Sequence, residues 1–111
     1  MLIRQLSSLR KLDLSFNKIA KINNLEGLKE LRELNLSFNR IETFEHLGKI
    51  PNLRIVILNH NRISKLENLK SLRKLEVLSI VGNQLESLTV FGNTSELLLE
   101  LREIHAARNK I

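Results

Sequence analysis

Leu9-Arg10-Lys11-Leu12-Asp13-Leu14-Ser15-Phe16-Asn17-Lys18-Ile19 returns, 22 residues on, as Leu31-Arg32-Glu33-Leu34-Asn35-Leu36-Ser37-Phe38-Asn39-Arg40-Ile41. Each leucine, the asparagine and the closing isoleucine keep their places. The frame continues downstream: Ile22, Leu25 and Leu28 recur as Phe44, Leu47 and Ile50. A third copy reads Leu53, Val56, Leu58, Asn61, Ile63, Leu66, Leu69 and Leu72. A fourth keeps Leu75, Leu78, Ile80, Asn83, Leu85, Leu88 and Phe91, and a fifth opens with Leu101, Ile104, Ala106, Asn109 and Ile111. Ile3 and Leu6 fit the last two apolar slots of a copy before the first. The chain thus divides into units 9–30, 31–52, 53–74 and 75–100, with partial units 1–8 and 101–111. Such self-similarity marks a solenoid, in which each unit buries its apolar side against its neighbours.

Two periods alternate inside the unit. Leu12-Asp13-Leu14 has period two, the mark of a short strand with one buried face. From Ile19 the apolar spacing is three, through Ile22, Leu25, Leu28, Leu31 and Leu34. That spacing suits a 3₁₀-like return, in which residues i and i+3 eclipse, and is too narrow for an α-helix. Strands are expected at 12–14, 34–36, 56–58, 78–80 and 104–106, side by side in one parallel sheet on the concave face. The fold class is an α/β solenoid, a right-handed superhelix with 3₁₀ or extended returns on its convex face.

Asn17, Asn39, Asn61, Asn83 and Asn109 share one column of this frame. A buried amide must be hydrogen-bonded, and its two donors and one carbonyl can serve two adjacent turns. Five asparagines in register therefore predict a near-buried ladder. Any one alone reads equally as a solvent-facing turn residue.

The pattern L-x-x-L-x-L-x-x-N-x-I resembles the short leucine-rich-repeat class typified by a regulatory subunit of protein phosphatase 1. Leu12 to Ile19 carries its signature. The resemblance implies an intracellular scaffold, of a class found in ciliary, centrosomal, nuclear and phosphatase-regulating proteins. It specifies the core and transfers no phosphatase-binding residue to this surface. One departure is the fourth unit, which runs from Leu75 to Leu101, 26 residues. Asn93 with Glu96 resembles a helix-start cap, and the following run favours a short helix over an irregular loop. Asn93-Thr94-Ser95 also fits the N-glycosylation pattern, with a helix start as the simpler reading.

Strand residues between buried leucines point outward. Their columns are Lys11, Glu33, Ile55, Val77, Glu103, then Asp13, Asn35, Ile57, Ser79, His105, then Ser15, Ser37, Asn59, Val81, Ala107. Ile55, Ile57, Val77 and Val81 form an aliphatic cluster that predicts a contact patch, though β-branched residues also simply suit strands. Phe16 and Phe38 open a column continued by His60, Gly82 and Arg108. Their rings can extend the patch or form an aromatic spine at the sheet edge. Two basic columns account for much of the charge: Arg10, Arg32, Arg54, Glu76, Arg102, and Lys18, Arg40, Arg62, Gln84, Lys110. They read as a solvated face, or as a grip on phosphates or a carboxylate-rich tail.

Composition bounds the rest. The chain of 111 residues has 18 Lys and Arg against 12 Asp and Glu, a net charge of +6 that favours an acidic partner surface. It has no cysteine and so no disulfide or thiolate metal site, consistent with a reducing cytoplasmic setting. No apolar run suggests a membrane span or a signal peptide. His46, His60 and His105 show no metal-ligand spacing, and Gly27, Gly48, Gly82 and Gly92 form no phosphate loop. No catalytic, cofactor-binding or metal residue is assigned, and an enzyme is not expected. The expected function is protein binding on the concave face. The alternative is a basic dock for nucleic acid or an acidic polymer such as a tubulin tail, although no nucleic-acid motif appears. The open ends further predict a piece of a longer repeat protein that frays beyond Leu97 and self-associates.

Overall fold

The period-two stretches form five strands of three residues each: β1 Lys11–Asp13, β2 Glu33–Asn35, β3 Ile55–Ile57, β4 Val77–Ser79 and β5 Glu103–His105. They make one parallel sheet in the order β1-β2-β3-β4-β5. The computed structural model describes residues 7–66, 69, 71–87 and 100–111. Ile3, Leu6, Leu88, Phe91, Gly92 and the expected helix and glycosylation pattern from Asn93 to Leu99 lie outside them.

Register follows the repeat. Leu12 pairs with Leu34, Leu34 with Val56, Val56 with Leu78 and Leu78 with Ile104. The longer fourth unit is absorbed without a slip, because Val77 still faces Glu103. Each strand begins one residue earlier than the sequence predicts. Pairing nevertheless runs past its end: Leu14 N–H donates to Asn35 at 2.8 Å, and Leu36 N–H to Ile57 at 2.8 Å. At the entry to each strand pair one carbonyl serves two donors. Arg32 and Glu33 N–H both bond to the Arg10 carbonyl, at 2.9 and 3.0 Å.

The period-three return has a backbone cause. Leu28 N–H donates to Leu25 at 3.0 Å and Leu31 N–H to Leu28 at 3.2 Å. The same links join Phe44, Leu47, Ile50 and Leu53, and then Leu69, Leu72 and Leu75. In each of these links the amide of one buried residue is satisfied by the carbonyl of the buried residue three positions before it. Among the described residues only Leu47–Lys49 extends this into a 3₁₀ helix.

Among the described residues the core is a column of aliphatic side chains with one ring, Phe44, fully buried among them. Leu31, Leu53, Leu72, Leu75, Leu78 and Ile80 are also wholly enclosed, each contributing ~1.5–3 kcal/mol by burial. Leu9, Leu12, Leu14 and Ile19 at one end, and Leu101 and Ala106 at the other, are only partly covered. Burial therefore needs a unit on each side, as a stacked architecture requires.

The asparagine column makes the ladder. Asn39 Oδ1 accepts the Ile19 N–H at 2.9 Å, and its Nδ2 donates to Leu14 at 3.0 Å and to Leu36 at 2.9 Å. Asn61, Asn83 and Asn109 repeat this set, each reaching back one unit. Asn39, Asn61 and Asn83 are buried. Asn17 departs from the expected near-burial and is exposed. No strand precedes β1 among the described residues, so Asn17 bonds only its own turn, at Leu14 and Ser15. Asn109 is intermediate, with no strand beyond β5 among the described residues.

Candidate functional site

The sheet's outer face presents one side chain from each end of every three-residue strand. Ile55 lies opposite Val77, and Ile57 opposite Ser79. All four predicted aliphatic residues are half-buried, and Ile55, Ile57 and Val77 are contiguous. Val81 lies one further position along. Its N–H and the Ser79 hydroxyl both donate to Asn59 Oδ1, at 2.9 and 2.7 Å. Asn59 thus ties Ser79 and the backbone of Val81 together beside the patch. Position-specific spacing alone gives no sign of this role, since Ser15 and Ser37 hold the same column.

Over β1 to β3 the face is hollowed into a groove of about 320 Å³. Ile55 and Ile57 line one side, and Lys11, Asp13, Glu33 and Asn35 the other. Lys11 Nζ lies 3.7 Å from Glu33 Oε2. The Ser15 hydroxyl and amide donate to Asp13 Oδ1 at 2.6 and 2.9 Å, holding its carboxyl below the usual carboxylate range. The strands carry three carboxylates, Asp13, Glu33 and Glu103, against one lysine, Lys11. The basic excess read from composition therefore does not lie on the sheet face. Net charge averages over faces that the fold separates, so the expected acidic partner does not follow for this one.

The aromatic column stacks. Phe16 and Phe38 have ring centroids 4.5 Å apart at 8°, and Phe38 and His60 lie 4.5 Å apart at 22°. Phe16 is 74% exposed and Phe38 45%, so the spine stands at the surface. The whole column is left-handed: φ is 59° at Phe16, 57° at Phe38, 55° at His60, 72° at Gly82 and 56° at Arg108. Bulky residues rarely adopt this conformation, and four of the five are not glycine. Cross-unit hydrogen bonds hold it: the N–H groups of Phe16, Phe38, His60 and Gly82 each donate to the next unit, at 2.9, 2.9, 2.7 and 2.9 Å.

The two basic columns differ. Glu76 does not merely interrupt the first. It lies 3.9 Å from Arg54 and 2.8 Å from Arg102, and so offsets part of the charge of both neighbours. Arg10 and Arg32 are exposed on the same side. In the second column Lys18, Arg40 and Arg62 are exposed, with no carboxylate in ion-pair range among the described residues. Among the described residues no group of three or more His, Asp or Glu could hold a metal ion.

Comparison with known proteins bears on this surface. Residues 7–49 and 51–93 match the family model described as Leucine Rich repeats (2 copies). No curated protein sequence matches the chain significantly. Among solved structures, internalin C2 of Listeria monocytogenes is similar at 29% identity with a TM-score of 0.84, over 98% of this chain and 46% of that one. The SNF/U2A′ complex of Drosophila melanogaster matches at 29% identity and a TM-score of 0.79, over 91% of this chain and 59% of that one. A leucine-rich-repeat protein of Leptospira interrogans matches at 29% identity and a TM-score of 0.81, over 96% and 27%. The chain spans less than two-thirds of the length of each.

Proposed function

We propose, since this chain belongs to the leucine-rich-repeat family, that it is a protein-interaction module whose partner seats on the concave sheet face. The observation that carries the proposal is the contiguous aliphatic cluster Ile55, Ile57 and Val77. It stands half-exposed on a face that is otherwise polar. Backbone hydrogen bonds fix the strands beneath it, so little ordering cost falls on binding. The adjacent acids Asp13 and Glu33 define the partner's chemistry: an apolar anchor with a basic flank. The likeness to a structure of a protein complex supports the reading. A role as scaffold or regulatory adaptor, within the short repeat class that the sequence resembles, is part of the same proposal.

The test is affinity capture with the intact repeat array beside an Ile57→Asp variant and a return-segment control, Lys65→Glu. Capture that persists with the control, tolerates salt and disappears with Ile57→Asp supports the reading. Capture unchanged by Ile57→Asp overturns it.

A further inference from the structure

The second basic column and the aromatic column run together along the edge where the strands end. Lys18, Arg40 and Arg62 stand two residues beyond Phe16, Phe38 and His60, with the asparagine ladder between them. Hydrogen bonds fix both columns from unit to unit. Arg40 and Arg62 N–H donate to the carbonyls of Ile19 and Ile41, each at 2.8 Å, and the ring-bearing residues donate forward as described. Cations and rings therefore leave the backbone in register over three successive units, at about the 4.8 Å strand spacing.

Which partner fits is decided by what the rings expose. Stacked at 4.5 Å, Phe16, Phe38 and His60 cover one another's inner faces, and the far side of His60 rests on Gly82. The stack turns its ring edges and the outer face of Phe16 to solvent. A nucleic-acid strand needs open faces for successive bases, and this stack offers one. Ring edges carry the positive side of the quadrupole and so favour anions. Beside them stand three cations that lack a counter-ion among the described residues, and an arginine fork takes a carboxylate at two points. We infer that this edge is a docking strip for an extended peptide segment rich in Asp and Glu, its carboxylates meeting Lys18, Arg40 and Arg62. The strip is separate from the concave patch, and either can fail without the other.

The test is fluorescence anisotropy of a labelled oligoglutamate peptide with the full chain and two variants of equal charge change. Arg40→Glu with Arg62→Glu alters the strip; Arg10→Glu with Arg32→Glu alters the opposite edge. All four arginines are exposed, and circular dichroism checks that each variant folds. The strip variant is expected to weaken binding about tenfold or more, and the opposite-edge variant to change it by less than about threefold. Equal losses in both variants would reduce the effect to net charge and overturn the inference. So would an absence of binding at low salt, or tighter binding of a single-stranded oligonucleotide than of the peptide.

Discussion

The imidazole of His60 rests on the backbone of Gly82, so closely that a Cβ at position 82 would stand 2.5 Å from Nδ1 and 2.7 Å from Cε1. Gly82 also has φ of +72°. The position thus excludes a side chain twice, by conformation and by space. Gly82→Ala is expected to cost about 1–3 kcal/mol for the left-handed backbone alone, and to push His60 off Phe38. A urea titration measures the loss. Adding His60→Ala should relieve only the steric share, and a double-mutant cycle showing no coupling would refute the contact's role.

Asn39 and Asn17 occupy equivalent positions with unequal bonding. Asn39 serves two units and is buried, whereas Asn17 serves its own turn and is exposed. Asn39→Ala should therefore cost ~1–3 kcal/mol, because it leaves buried backbone groups unpaired. Asn17→Ala should cost well under half of that. Equal shifts in the urea midpoint would show that the cross-unit bonds contribute nothing.

Ser37 presents the opposite case. It is buried, and its hydroxyl has no hydrogen-bond partner. Removing an unsatisfied buried hydroxyl relieves its desolvation penalty, so Ser37→Ala is expected to be neutral or stabilising by up to about 1 kcal/mol. A fall in thermal midpoint would mean that the hydroxyl finds a partner in solution.

Much of the fold was legible because one signal repeats. The 22-residue return set the strand register from Leu12 to Ile104, and the period-three spacing from Ile19 onward anticipated the i→i−3 links. The left-handed column was not legible. Only Gly82 announces a positive φ, whereas Phe16, Phe38 and His60 are held there by bonds to a neighbouring unit. Local propensity carries no trace of such a constraint. The patch residues Ile55, Ile57 and Val77 could be listed from alternation, yet the acidity of the face around them could not. That depends on which charges share a surface, and Glu76 shows the same limit: in sequence it breaks a basic column, and in space it bridges two arginines.

Strand β5 should be the least protected of the sheet. Its three residues are all exposed, Ile104 included, and among the described residues it has a neighbour on one side only. Hydrogen exchange at 103–105 is expected to run faster than at 33–35, where β2 is paired on both sides. Equal protection in β2 and β5 would contradict this account of the edge.

The concave-face reading is tested most directly by photo-crosslinking from single positions of the folded chain. A photoreactive residue replacing Ile57 should give a discrete adduct with the bound partner, and Val77→Asp in the same chain should abolish it. The same residue replacing exposed Lys65 should give none. An adduct from position 65 with none from position 57, or a position-57 adduct indifferent to Val77→Asp, would contradict the assignment of the binding face.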